Sequence, residues 1–183
     1  MRPDPHSEGR RWLAQAENDF AFAGLAVREG FFAQACFNSQ QAAAKALKAL
    51  LYSRGAEHVF GHSVADLLTE CARIDAEFTP LKARAAPLDQ FYVPTRYPNS
   101  LPGGIPAEAF GRADATRALD MTSEVLTLVK RRLPGRRRRS RERRDQITDG
   151  AGRSLAGART PTVVFSPGAR RRGSGRRSVR SAP

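Results

Sequence analysis

The sequence predicts an all-α protein, an antiparallel four- to five-helix bundle followed by a disordered C-terminal tail. Three observations carry that expectation. Apolar residues recur at steps of three and four between Arg10 and Leu133. Strand-like alternation is missing before residue 160. The charge balance also breaks after Leu133: residues 1–133 hold 16 Lys and Arg against 15 Asp and Glu, whereas residues 134–183 hold 15 Arg against 3 acids. A segment of Arg, Gly, Ser and Pro cannot bury enough apolar surface to offset its ordering entropy. The expected divisions are a flexible N-terminus over 1–9, a helical domain over 10–133 and a disordered Arg-rich tail over 134–183.

The elements follow in order. Residues 1–9 are polar, carry two prolines and are expected to fray. A first helix starts at Ser7 or Arg10, and Trp12, Ala16, Phe20, Ala23 and Val27 draw its apolar stripe to Arg28. Gly30 ends it, because a helix terminus commonly needs the left-handed conformation. Phe32–Ser53 contains neither Pro nor Gly and is rich in strong helix formers. Its buried face is expected to carry Cys36, Phe37, Gln40, Ala44, Leu47 and Leu51, and the short link before it makes an antiparallel hairpin.

Ser63 followed by Asp66 predicts a capped third helix burying Val64, Leu67, Leu68, Cys71 and Ile74. Thr79-Pro80 opens a fourth, running to about Tyr92 and kinked or shortened by Pro87. Val93–Ile105 is a long, Pro- and Gly-rich loop of the length that often carries function. Pro106-Ala107-Glu108 opens a last helix through Phe110, Met121, Val125 and Leu128 to Leu133. The β-like run Thr160–Ser166 stands alone and is expected to stay unstructured.

Composition excludes several classes. Cys36 and Cys71 make no disulfide framework and have no His or Cys at ligand spacing, so no metal or other cofactor is expected. The N-terminus lacks the apolar core of a signal peptide, and no apolar run reaches 18 residues, so a cytoplasmic location is expected. The near-neutral domain has no overall field for nucleic acid, and the tail does.

Four patterns, in this order, resemble the HEPN domain family. They are WLAQAENDFAFAGLAV from Trp12; FAQACFNSQQAAAKALKALLYSRG over 32–55, with Gln40, Gln41, Lys45 and Lys48; Gly61-His62-Ser63 followed by Asp66-Leu67-Leu68; and Leu88-Asp89-Gln90-Phe91-Tyr92-Val93-Pro94-Thr95-Arg96-Tyr97-Pro98. The last, ending TRYP, is the most specific. Together they span about residues 11–132.

The resemblance implies a helical bundle that pairs into a homodimer. It implies a minimal nucleotidyltransferase as partner, in a toxin–antitoxin arrangement. Many members of the family are metal-independent RNases whose site uses an Arg followed four to six residues later by His. Arg96 is the Arg in the matching loop, and no His follows it; the histidines are His6, His58 and His62. A second departure is Ala44, where an acid often precedes the lysine matched here by Lys45.

The candidates for a catalytic role are Arg96 and Tyr97. For nucleotide or partner binding they are Arg96, Tyr97, Gln41, Lys45 and Lys48. Arg96 offers a planar donor fork for a phosphate or carboxylate, or alternatively locks the long loop onto the bundle. Gln41, Lys45 and Lys48 share one side of the second helix; they bind an anion, or the Gln satisfies backbone and the lysines are solvated. His62 is an acid–base candidate or a residue that bonds loop carbonyls near the helix start. Cys36 and Cys71 read as inert core thiols. The tail arginines, Arg136, Arg137, Arg138 and Arg139 first, would bind polyanions such as RNA by counterion release, or have no selected role. The leading expectation is a binding protein; RNA cleavage and nonspecific polyanion binding are the alternatives.

Overall fold

The computed structural model describes residues 4–133, all helix, turn and loop. The expected disordered tail, with Arg136–Arg139 and Thr160–Ser166, lies outside the described residues. Six α-helices occur among the described residues: α1 (Pro5–Arg28), α2 (Phe32–Ser53), α3 (Val64–Ile74), α4 (Thr79–Ala85), α5 (Pro106–Ala109) and α6 (Arg112–Arg132). No helix among the described residues is long and apolar enough to cross a membrane.

The centre is α2. It was expected to bury one face, but it is buried nearly all round, because α1, α3 and α6 all pack on it. Its alanines make this possible: Ala33, Ala35, Ala42, Ala43, Ala44, Ala46 and Ala49 let neighbouring backbones approach on every side. α1 runs antiparallel to α2, with Trp12 stacked on Tyr52 and Asp19 paired with Lys45. α6 runs alongside α2 in the same direction: Arg112 reaches Phe32, Thr122 donates to the Ser39 carbonyl, and Arg54 to the Arg132 carbonyl.

Several boundaries differ from expectation for identifiable reasons. α1 begins at Pro5, because Asp4 accepts the Ser7 N–H at 3.0 Å and Pro5 sits in the first turn. Gly9, expected to fray, is buried: a Cβ there would stand 2.7 Å from both the Ala49 carbonyl oxygen and Ser53 Cβ. Gly30 ends the helical link at φ +83°, as its position requires. Ser63 caps α3 by accepting the Asp66 N–H. Ile74, expected in the core, is 47% exposed at the end of α3. Phe78 is buried in its place, on a 3₁₀ turn (Ala76–Phe78) capped by Asp75.

The fourth helix is shortened at Ala85 and continues as a 3₁₀ turn over Ala86–Phe91, consistent with Pro87 removing a donor and crowding the preceding turn. The last helix is two, not one. It breaks at Phe110-Gly111, where the Asp114 carboxylate accepts the Gly111 N–H at 2.9 Å and starts α6 afresh. Phe110 meets Phe91 edge-on across the break.

Candidate functional site

Three of the four sequence patterns, far apart along the chain, meet at one side of the bundle, and the first packs along α2 through Trp12 and Asp19. Asp89 on the Ala86–Phe91 turn makes the join. Its carboxylate accepts from Val64 N–H at 2.7 Å, Ala65 N–H at 3.1 Å and the Ser63 hydroxyl at 2.9 Å, so it caps α3 from another segment. Gln40 of α2, fully buried, donates to the His62 carbonyl at 2.6 Å and to Asp89 at 3.3 Å. Sequence reasoning placed Asp89 in a matched pattern but assigned it no role; its signal was a lone acid in an otherwise uncharged turn.

Past Asp89, Thr95 folds back to donate to the Phe91 carbonyl, and this turn presents Arg96. Arg96 Nε donates to the Tyr92 carbonyl at 2.9 Å. Its guanidinium lies 4.5 Å from the Tyr92 ring centre and 4.9 Å from those of Phe37 and Tyr97. Three rings therefore hold the plane, and the terminal nitrogens have no hydrogen bond among the described residues. This geometry locks the loop and leaves a donor fork free, so the two sequence readings of Arg96 are compatible. Tyr97 is half exposed, and its contact with Arg96 is through the ring.

His62 stacks on Tyr92 at 5.3 Å, so His62 and Arg96 share one ring. Its imidazole is held below its ordinary pKa, first by partial desolvation and then by the charges of Lys48, Arg96 and Lys45. Lys45 is neutralised by Asp19, which also accepts from Gln15 at 2.7 Å. Lys48 is 6% exposed and lies 5.6 Å from the Trp12 ring centre. No carboxylate pairs with it among the described residues, and its ammonium is pushed below the usual lysine range by burial and by Lys45. Neither lysine is simply solvated. Gln41 is turned inward and donates to Gln40 at 2.7 Å. Trp12 and Asp19, which position the lysines, were read only as part of a helix pattern; their partners on α2 were not legible.

His58 is exposed and stacks obliquely on Phe60. Cys36 and Cys71 are buried, and desolvation pushes both thiols up to about 12, so neither is a nucleophile. Among the described residues no three His, Cys, Asp or Glu gather where they could hold a metal ion. Arg136–Arg139 lie outside the described residues.

A family model described as HEPN domain matches residues 10–132. Among solved structures, TT1696 from Thermus thermophilus is 38% identical with a TM-score of 0.62, over 69% of this chain and 98% of that one. ST0689, an archaeal HEPN homologue, is 34% identical with a TM-score of 0.58, over 69% and 98%. An HEPN domain protein of Thermotoga maritima (tm0613) is 27% identical with a TM-score of 0.52, over 66% and 95%. No curated protein matches the chain.

Proposed function

The chain belongs to the HEPN domain family, and from that premise we propose that it acts by binding, taking a phosphate of a nucleotide or RNA at the Arg96 face. One observation carries this reading. Three rings clamp the Arg96 guanidinium while its terminal nitrogens stay without a hydrogen bond among the described residues, and buried Lys48 has no carboxylate partner there. A guanidinium with an open donor fork and an uncompensated, desolvated ammonium are each favoured by an anion. In this reading Arg96 supplies two parallel donors, Lys48 a point charge, and Gln41 and Tyr97 flank them.

Titrating the full chain with adenosine monophosphate by calorimetry tests it. Arg96→Ala should weaken binding at least tenfold, the loss of about 1.5–3 kcal/mol for charge-assisted bonds. Arg96→Lys should recover only part of that, because it has no fork. Equal affinity in all three proteins would refute the site. The biological setting we propose is a homodimer paired with a minimal nucleotidyltransferase, as toxin and antitoxin. Exposed Phe22, Leu25 and Phe31 on α1 and its link to α2 supply apolar surface for partners. Light scattering and co-purification check those two associations.

RNA cleavage without metal is a second reading, favoured by a specific contact. The His expected after Arg96 in sequence is missing, yet His62 stacks on the same Tyr92 ring as Arg96. Cleavage in EDTA that is lost in both Arg96→Ala and His62→Ala would support it. Intact RNA with the wild-type protein would remove it.

A further inference from the structure

The half-buried amide of Gln41 is held in one orientation by a group two hydrogen bonds away. The order starts at Asp89, whose carboxylate already accepts from Val64, Ala65 and Ser63. A carboxylate and a backbone carbonyl can only accept. Fully buried Gln40 meets both, the His62 carbonyl at 2.6 Å and Asp89 at 3.3 Å, so its NH2 group must lie on that side. Its carbonyl oxygen is then left for Gln41, which donates to it at 2.7 Å. Turning the Gln41 amide over would set two carbonyl oxygens against each other beside a fully buried group. One N–H of Gln41 is therefore spent inward, and its carbonyl oxygen accepts no hydrogen bond among the described residues.

Contacts on both sides tie this amide to the Arg96 face. Phe37, one helical turn before Gln41 on the same side of α2, has its ring centre 4.9 Å from the guanidinium. Gln40, which Gln41 touches, bonds the His62 carbonyl, and the His62 ring stacks on the Tyr92 ring that also carries Arg96. Arg96 and the lysines of α2 can only donate. An amide free to turn would join them and offer its NH2 group to an anion. Gln41 instead keeps an acceptor uncommitted, and an acceptor set against a fully deprotonated oxyanion repels it.

We propose that Gln41 is a specificity-determining residue, set by Asp89 through Gln40, that makes the Arg96 face select an oxyanion carrying its own hydroxyl donor over one that carries none. Hydrogen phosphate is such an ion: its P–OH donates to the Gln41 oxygen while its other oxygens accept from the Arg96 fork. Sulfate has the same shape and, as the dianion, the same charge, but no proton to give. A phosphate monoester meets the requirement while singly protonated. This rests on the anion reading of the Arg96 face and adds to it the need for a donor. Gln40 is the positioning residue.

Calorimetry of the full chain with inorganic phosphate and with sulfate tests it, at a pH where both are dianions. Equal charge makes attraction to the Arg-rich residues 134–183 the same for both. Wild type should bind hydrogen phosphate about tenfold tighter than sulfate, the difference between one hydrogen bond made and one acceptor left unmet. Gln41→Met, of similar volume and with no amide, should bring the two ions to equal affinity. Gln41→Glu keeps an acceptor and should keep the preference, with both ions bound more weakly. Gln40→Met frees the Gln41 amide to turn, so sulfate should gain affinity over wild type; a merely structural role would weaken both ions alike. Equal affinity of the two ions for wild type would overturn the role of Gln41 and leave the anion site standing. A preference that survives in Gln41→Met would overturn the assignment to Gln41, and one that survives in Gln40→Met would overturn the positioning by Gln40. Binding of neither ion would overturn both readings.

Discussion

Removing the Asp89 carboxylate should loosen three elements at once, and its cost can be worked from its contacts. Asp89 accepts two backbone N–H groups of α3, the Ser63 hydroxyl and the Gln40 amide. In Asp89→Ala the Val64 N–H, on a fully buried residue, loses its partner, a cost of about 1–3 kcal/mol. Ala65 and Ser63 are only half-buried and can turn to water, adding about 0.5–1 kcal/mol. Gln40 keeps the His62 carbonyl and Ser63 keeps the Asp66 N–H, so little is added there. The sum is about 3 kcal/mol, or roughly 10 °C in Tm for a domain of this size. Asp89→Asn keeps the shape and one carbonyl acceptor but not the charge, and should cost about half as much. Urea denaturation and scanning calorimetry read both. Asp89→Ala within about 1 kcal/mol of wild type would refute the reasoning, since the carboxylate would then be exchangeable for water.

Three other outcomes are expected. Lys48→Met should keep or raise stability, since it removes a desolvated charge, while abolishing phosphate binding; urea midpoints and calorimetry separate the two effects. His62, with its folded pKa lowered, contributes stability that is present above its unfolded value of about 6.5 and lost as pH falls through the folded value. NMR titration should show that depression, and saturating phosphate should raise the pKa, because an anion offsets the surrounding cations. Gly9→Ala should destabilise by about 1–2 kcal/mol, the overpacking at Ala49 and Ser53 outweighing the gain in helix propensity, and urea denaturation will measure it.

Local signals were legible and partners were not. α2 occupies the residues its composition predicts, Ser63 caps α3, and the cysteines are buried, because each depends on neighbours in sequence. The Asp4-Pro5 start is also local, but it was masked by reading two prolines as signs of fraying. Gly111 was invisible for a different reason: a helical pattern resumes at once after it, and only the Asp114 cap shows the break. The site was partly legible. Arg96, Lys45 and Lys48 could be named from their patterns, but Asp19, which neutralises one lysine, lies on another helix. The burial that leaves Lys48 unsolvated depends on packing with α1, which periodicity does not specify. His62 reads from sequence as an acid–base candidate or a residue that bonds loop carbonyls, with nothing to link it to Arg96, whereas the chain brings both to Tyr92.

The shared Tyr92 ring has a genetic consequence. Replacing it by a small residue would weaken the stacking support of the imidazole and the guanidinium together, so its effect should not add independently to those of changes at position 62 or 96. Scans of positions 62, 92 and 96 taken one at a time would count the same loss more than once, and a chain that substitutes one of them is under pressure to adjust the other two.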